Sequence, residues 1–257
     1  YSPQALRLFV ARLGLSQQNS TIDYTVLENT LREDLDARAE RRMAVIDPVR
    51  FVLTNLSDDH AEQLTFHNHP KNAACGDRQV AFSNTVYIDR EDFAEVPPKG
   101  WKRLVPEGEV RLRGAGIVKC TEVIKDASGQ IIELRGTLDL ESRPGMAGAE
   151  RKVKGTLHWV DAKTGVPTEF RHYDRLFKVS NPDDDSDGKS YKDHLNPESK
   201  QVAHGFVEAS AAHAAPETFY QFERIGYYVA DRKDHTAVAP VFNRSVTLRD
   251  TWMQKSQ

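Results

Sequence analysis

Cysteine is nearly missing from this chain. Cys75 and Cys120 are the only two in 257 residues. They lie far apart and without a CxxC partner, so no zinc site can be built on cysteines, and a reducing, cytoplasmic setting is expected. No apolar run approaches the roughly 18 residues that a membrane span needs, and the first residues lack the charged and apolar regions of a signal peptide. Catalytic signatures are missing too: there is no GxSxG, no HExxH and no P-loop. Gly114 and Gly116 lack the third glycine and the following helix of a dinucleotide fingerprint. The first residue is Tyr1 and not Met, so the sequence reads as a piece of something longer, with further chemistry expected upstream.

What remains is a soluble globular composition, with 28% charged residues, net charge −3 and mean hydropathy −0.59. The length suits one large domain or two smaller ones. Against this acidic background stands a local basic stripe of Lys99, Lys102, Arg103, Arg111, Arg113 and Lys119, opposed by Glu107 and Glu109. A cationic stripe on an acidic chain predicts a localised anionic partner. The alternation Val110-Arg111-Leu112-Arg113 has the period of a strand and puts both arginines on one face. Two guanidinium forks side by side suit phosphates or base edges.

The first forty residues read as helical. Ser2 caps, Pro3 takes the first helical position, Leu6, Phe9, Val10 and Leu13 form a stripe, and Gly14 ends the helix. A second helix is predicted from about Thr21 or Asp23, with Leu27, Leu31 and Leu35 on one side. From Met43 the texture becomes short strands between turn clusters: Leu64–Phe66, Val80–Phe82, Val86–Ile88, Val110–Val118, Ile131–Leu140 and Val153–Val160. Many short strands at close spacing predict sandwiches or barrels. The stretch up to about His204 is polar and has no clear period, and strand texture resumes near Phe219.

Other constellations carry less. Asp183, Asp185, Asp187 and Gly188 begin a calcium-loop pattern, but the twelfth position, which needs a bidentate glutamate, is His194. His67 and His69 have no third ligand of suitable spacing, so no metal is expected. His172 and Asp174 lack a nucleophile and an oxyanion hole, and alternating charge on a barrel strand accounts for them. No catalytic residue is expected in this chain.

Several stretches resemble the C-terminal half of bacterial glutaminyl-tRNA synthetase: Arg41 to Val49, Asn68 to Lys71, Tyr87 to Phe93, Lys102 to Val105, Glu109 to Arg113, Lys152 to Trp159, Tyr173 to Phe177, Asn196 to Ser199, Gln221 to Tyr227 and Pro240 to Trp252. They run in order from end to end. The resemblance implies a helical connector followed by two β-barrels, the distal one inserted in the proximal. On this sequence that means a connector at 1–42, a proximal barrel from 43–98 plus 177–257, and a distal barrel at 99–176. The HIGH-type and KMSKS-type motifs of class I synthetases do not occur here. The ATP- and glutamine-binding catalytic domain would then lie upstream, and the chain is expected to be inactive alone.

The resemblance also implies a partner, tRNA(Gln), bound by a monomer, with no role for DNA or membrane. Glutamine anticodons carry C or a modified U first, U in the middle and G third. RNA is read by splaying out such bases. Arg103 is implied at the third base, where arginine meets guanine O6 and N7, with Lys102 beside it on phosphate. Arg111 and Arg113 would line the pocket for the first base. The middle uracil would meet Arg41, or its neighbour Arg42, together with Gln221 and Arg224, oriented by Glu223. Gln18, Pro70 and Lys71 are implied as further tRNA contacts. The nearest rival is a glutamyl-tRNA synthetase of archaeal or eukaryotic type, whose anticodon has C third and for which Arg103 would be the wrong chemistry. A stand-alone ribosomal RNA-binding barrel is the next, and a hydrolase using His172 and Asp174 the last.

Overall fold

The computed structural model describes residues 1–14, 22–184, 186 and 188–249. Gln18, Asp185 and Asp187 lie outside these residues.

Two helices open the chain. In α1 (Pro3–Leu13) the Ser2 hydroxyl accepts from the Ala5 N–H at 3.1 Å, Pro3 stands at the start and Gly14 closes the helix, as its caps predict. The predicted stripe is not its packed face. Ala5 is fully buried, whereas Leu6, Val10 and Leu13 are exposed, because α1 meets little besides α2 (Tyr24–Arg38). The second helix matches expectation, with Asp23 as N-cap and Leu31 and Leu35 buried. Those leucines pack with Tyr227 and Val246.

Among the described residues sixteen strands follow: β1 (Glu40–Arg42), β2 (Ala44–Val45), β3 (Pro48–Leu53), β4 (Ala61–His67), β5 (Asp77–Ser83), β6 (Thr85–Asp89), β7 (Glu109–Leu112), β8 (Gly116–Lys125), β9 (Ile131–Asp139), β10 (Thr156–Leu157), β11 (Val160–Asp161), β12 (Val166–Tyr173), β13 (Lys200–Val207), β14 (Phe219–Phe222), β15 (Gly226–Ala230) and β16 (Val241–Thr247). They form a sheet ordered β1-β14-β15-β16-β12-β13-β2, a second ordered β10-β7-β8-β9-β3-β6-β11, and the hairpin β4-β5. The chain is thus mainly β, with one nearly closed barrel and a half-barrel sheet behind a short helical part. In each large sheet the two edge strands are neighbours in sequence. Met43 alone separates β1 from β2, and His158–Trp159 separate β10 from β11.

One sheet interrupts the other in sequence. Residues 48–161 supply every strand of the second sheet, and 40–45 with 166–247 supply the first. β3 and β6 therefore side with the strands of 109–161, not with the C-terminal ones, while β4 and β5 pair only with each other. The cores differ in character. Phe170, Phe222, Tyr228 and Phe242 fill the first sheet with edge-to-face and tilted ring pairs, a geometry that suits the ring quadrupole. Aliphatics around the fully buried Trp159 fill the second. The two large sheets meet where Tyr87 stacks on Phe206, centroids 4.2 Å apart, and the β4-β5 hairpin joins the first sheet at the buried Glu208, which accepts from the Met43 N–H at 2.9 Å and from Arg78 at 2.6 and 3.1 Å.

Two local expectations change. Val110–Val118 is not one strand. Gly114, at φ +69°, turns the chain back so that Leu112 pairs with Gly116. A Cβ there would also lie 2.5 Å from the Phe66 ring, so glycine answers both the left-handed backbone and the close approach. Arg113 consequently sits on this turn and does not share a strand face with Arg111. The unclassified polar stretch holds β13, whose outer end is exposed.

Candidate nucleic-acid interface

A tight turn at Glu223–Ile225, closed by the Ile225 N–H on the Phe222 carbonyl at 3.0 Å, joins β14 to β15. Arg224 occupies it at φ +65°, a backbone position that costs a non-glycine residue on the order of 1 kcal/mol. Its side chain reaches from the first sheet to the loops of the second. The guanidinium grips Asp92 with both prongs, at 2.7 and 2.8 Å, the strongest geometry open to such a pair. Arg103 reaches the same carboxylate, Nε to Oδ1 at 3.2 Å. It also donates to the Glu91 carbonyl at 2.8 Å and lies over the Trp101 ring. Glu223, the other residue of the turn, meets Arg113 at 2.9 Å. Burial raises the proton affinity of Glu223, and Arg113 acts against that.

Arg224 also donates to His158 Nδ1 at 3.3 Å. An arginine can only donate, so that nitrogen is the acceptor and Nε2 carries the proton, which it gives to Asp89 at 2.8 Å. Burial raises the Asp89 carboxyl, but the His158 bond and the Ile46 and Asp47 N–H groups outweigh it and leave it below its ordinary range. Asp89, Asp92 and His158 have ligand atoms within 4.8 Å of one another. The Arg224 guanidinium already supplies the positive charge there, which argues against a cation.

The middle-base group is assembled across long sequence distance. Glu40–Arg42 run parallel to β14, with Arg41 level with Gln221. Gln221 is half-buried on the face away from Tyr220 and Phe222. Both Arg41 and Arg42 are buried. Arg41 donates to the Ala39 carbonyl at 2.5 Å and to Asp36 at 2.7 Å. Arg42 holds Glu40 and Asn68 and lies over the Tyr220 ring. Lys71 also pairs with Asp36 at 3.1 Å, and the Lys71 bond, ahead of Arg41's charge, keeps that carboxyl below its usual range. A groove of about 730 Å³ opens beside these groups, lined by Arg41, Pro70 and Arg113 with Phe66, Pro144 and Met146.

Arg111 is placed differently. Its guanidinium donates to the carbonyls of Ser142, Ala149 and Arg151 at 2.8, 2.8 and 2.9 Å, so it pins the loop over β7. Lys102 is exposed and, among the described residues, has no ion-pair partner. Asp36, Asp89, Asp92 and His158 were not singled out from the sequence. The only signal for Asp89, Asp92 and His158 is that they fall inside two of the matched stretches.

The remaining motifs resolve simply. His69 is buried, accepts from the Lys71 N–H and donates from Nε2 to the Asp36 carbonyl at 3.0 Å, while His67 is exposed and bonds Asp77. The two do not converge on a metal. His172 sits on β12, 3.0 Å from the Tyr228 hydroxyl. Burial, then the nearby Arg244, push its pKa from 6.5 down to about 4. A histidine kept neutral in the fold but protonated once unfolded gives stability that is complete above pH 6.5 and is lost as pH falls towards 4. Urea midpoints measured from pH 7 to 4 should therefore fall less steeply in His172→Gln than in the unsubstituted chain; parallel curves would refute this.

Among the described residues no helix is long and apolar enough to cross a membrane. Residues 39–139 and 156–231 each match a family model described as the anticodon-binding domain of class I tRNA synthetases (E and Q). The chain is 66% identical over 252 residues to a glutamine–tRNA ligase of Xanthomonas campestris pv. campestris (strain 8004), and 67% identical over 252 to that of Xanthomonas euvesicatoria pv. vesicatoria (strain 85-10). It is 63% identical over 254 residues to that of Xylella fastidiosa (strain M12). These alignments cover 98%, 98% and 99% of this chain and 44% of each relative, so the chain spans less than half the length of the relatives it matches. A mainly β chain whose cationic groups gather where its two sheets meet, and which matches these models and relatives almost throughout, belongs to the class I tRNA synthetases of the E and Q group and carries their anticodon-binding domain.

Proposed function

We propose that this chain reads the anticodon of tRNA(Gln) as a monomeric part of a glutamine–tRNA ligase. ATP, glutamine and the aminoacylation step belong to the remainder of that ligase, and none of these 257 residues is assigned to them. The observation that carries the reading is the turn at 223–225, where Arg224 and Arg103 share one carboxylate and Arg113 is held by the adjacent glutamate. Guanidinium groups fixed in advance lose little freedom when a base arrives. Arg103 takes the third base, a guanine, and Lys102 the neighbouring phosphate. Gln221, Arg224 and Arg41 take the middle uracil, with Glu223 as the group that orients them, and Arg113 takes the first base. Arg111 shapes that pocket through the loop it holds and makes no base contact. Pro70 belongs to the groove wall beside Arg41.

The test is binding of an anticodon stem-loop bearing CUG against one with the third base changed to C, at two salt concentrations. The chain should prefer G by about tenfold or more, in line with the 1–3 kcal/mol of a good bidentate base contact, and Arg103→Ala should abolish the preference. Lys102→Ala should weaken both loops alike and flatten the salt dependence, as loss of a phosphate contact does. Equal binding of both loops by the unsubstituted chain would defeat the proposal, and preference for C would move the chain to a glutamate-specific reading.

A further inference from the structure

We propose that Asp92 is a positioning residue that makes the readings of the middle and third anticodon bases interdependent. The inference rests on the base assignments just made. Asp92 is fully buried and faces no solvent. Its two oxygens are taken up by two arginines from distant parts of the chain, Arg224 by both prongs and Arg103 through Nε. Its own main chain is tied to the Arg103 segment, since the Leu104 N–H donates to the Asp92 carbonyl at 3.0 Å and the Leu104 carbonyl accepts from the Ala94 N–H at 3.1 Å. On the far side, His158 and Asp89 fix Arg224 and anchor it to the backbone of Ile46 and Asp47.

This is a single line, Asp89, His158, Arg224, Asp92, Arg103, buried at the two carboxylates and the imidazole and open to solvent at the two guanidinium groups. One carboxylate therefore sets the distance between two guanidinium groups. Adjacent anticodon bases sit at a fixed spacing along the RNA, so the protein must hold their two readers at a matching spacing. Asp92 can do this without meeting RNA. Moving either arginine to follow a wrong base disturbs the other through the shared carboxylate. A mismatch at one position then lowers the value of a match at the next.

The experiment uses the chain as it stands and four stem-loops: CUG, the same with the third base changed to C, the same with U changed to C in the middle, and the same with both changes. Asp92→Asn keeps the shape and removes the charge. It should reduce both preferences about tenfold, while affinity for the doubly mismatched loop stays within about twofold. A merely structural role would instead lower affinity for all loops alike and leave the ratios unchanged. Asp92→Asn that retains either preference in full overturns the inference. If Asp92→Asn does not fold, the cycle Arg103→Ala, Arg224→Ala and the double variant decides. Each single change should lower the preference at the other's base, and the double change should cost less than the product of the two. Independent, multiplicative effects overturn the inference. Failure of the unsubstituted chain to discriminate any loop is a separate outcome, which strikes the anticodon reading itself and the inference with it.

Discussion

Glu208→Ala will destabilise the fold by about 3–5 kcal/mol, the cost of breaking a buried ion pair by removing one partner. Glu208 and Arg78 have side chains only 3% and 5% exposed, so no water can replace what is lost. The carboxylate is held by Arg78 at 2.6 and 3.1 Å, by the Met43 N–H at 2.9 Å and by the Ser210 hydroxyl, with Arg42 Nε at 3.7 Å. Alanine leaves the Arg78 charge and the Met43 donor in a dry interior at once. Glu208→Gln keeps the shape and should fall between the two. Replacing both Glu208 and Arg78 by apolar residues of similar size should recover most of the loss, because the groups left without a partner, the Met43 N–H and the Ser210 hydroxyl, are neutral and Arg42 keeps Glu40. Urea unfolding at pH 7 measures all of these. A Glu208→Ala midpoint within 0.2 M of the unsubstituted chain would show that the cluster contributes nothing net.

Gly205→Ala is expected to cost 1–3 kcal/mol or more, the range for forcing extra atoms into a packed site. Gly205 lies in β13 where β2 gives way to the crossing between the two large sheets. A Cβ there would stand 1.9 Å from the Val45 carbonyl oxygen and 2.8 Å from the Ile46 Cα. Both obstacles are backbone, so no rotamer change relieves them. The Phe206–Val45 and Val207–Ala44 pairing must open or the crossing must shift. Gly129 supplies the contrast. It has φ +83° and nothing within 4 Å, so alanine there should cost only the left-handed backbone penalty of about 1 kcal/mol. Thermal melts of the two variants should therefore separate clearly, with Gly205→Ala the lower. Equal melting temperatures would mean that the crossing is loose enough to absorb a methyl group.

Much of the local structure was legible because its causes are local. Ser2, Pro3, Gly14 and Asp23 mark helix ends by chemistry within four residues. The alternating burial along β9 follows from its alternating residues. Partners were less legible. The alternation of 48–53 announces a strand, but nothing in it says that β9 and β6 will flank it. Arg111 and Arg113 look alike in sequence. Only the fold reveals that one is consumed by three carbonyls and the other is half-exposed beside Glu223. Asp92 escaped for the complementary reason. A buried carboxylate advertises itself only through its partners, and Arg224 is 132 positions further on.

The nesting of one sheet within the other also dictates an order of assembly. Every strand of the inner sheet is available once residue 161 has been made. The outer sheet cannot close its edges until much later, because Glu40 pairs with Tyr220, 180 positions on, and Val45 with Phe206. Contacts of such separation form slowly, and a growing chain folds as its segments appear. During synthesis the inner sheet is thus complete while β1, which carries Arg41 and Arg42, still waits for a partner strand that does not yet exist. In that interval β1 and β2 are strands without their partners β14 and β13, and their open edges are the natural site for mispairing with a neighbouring nascent chain.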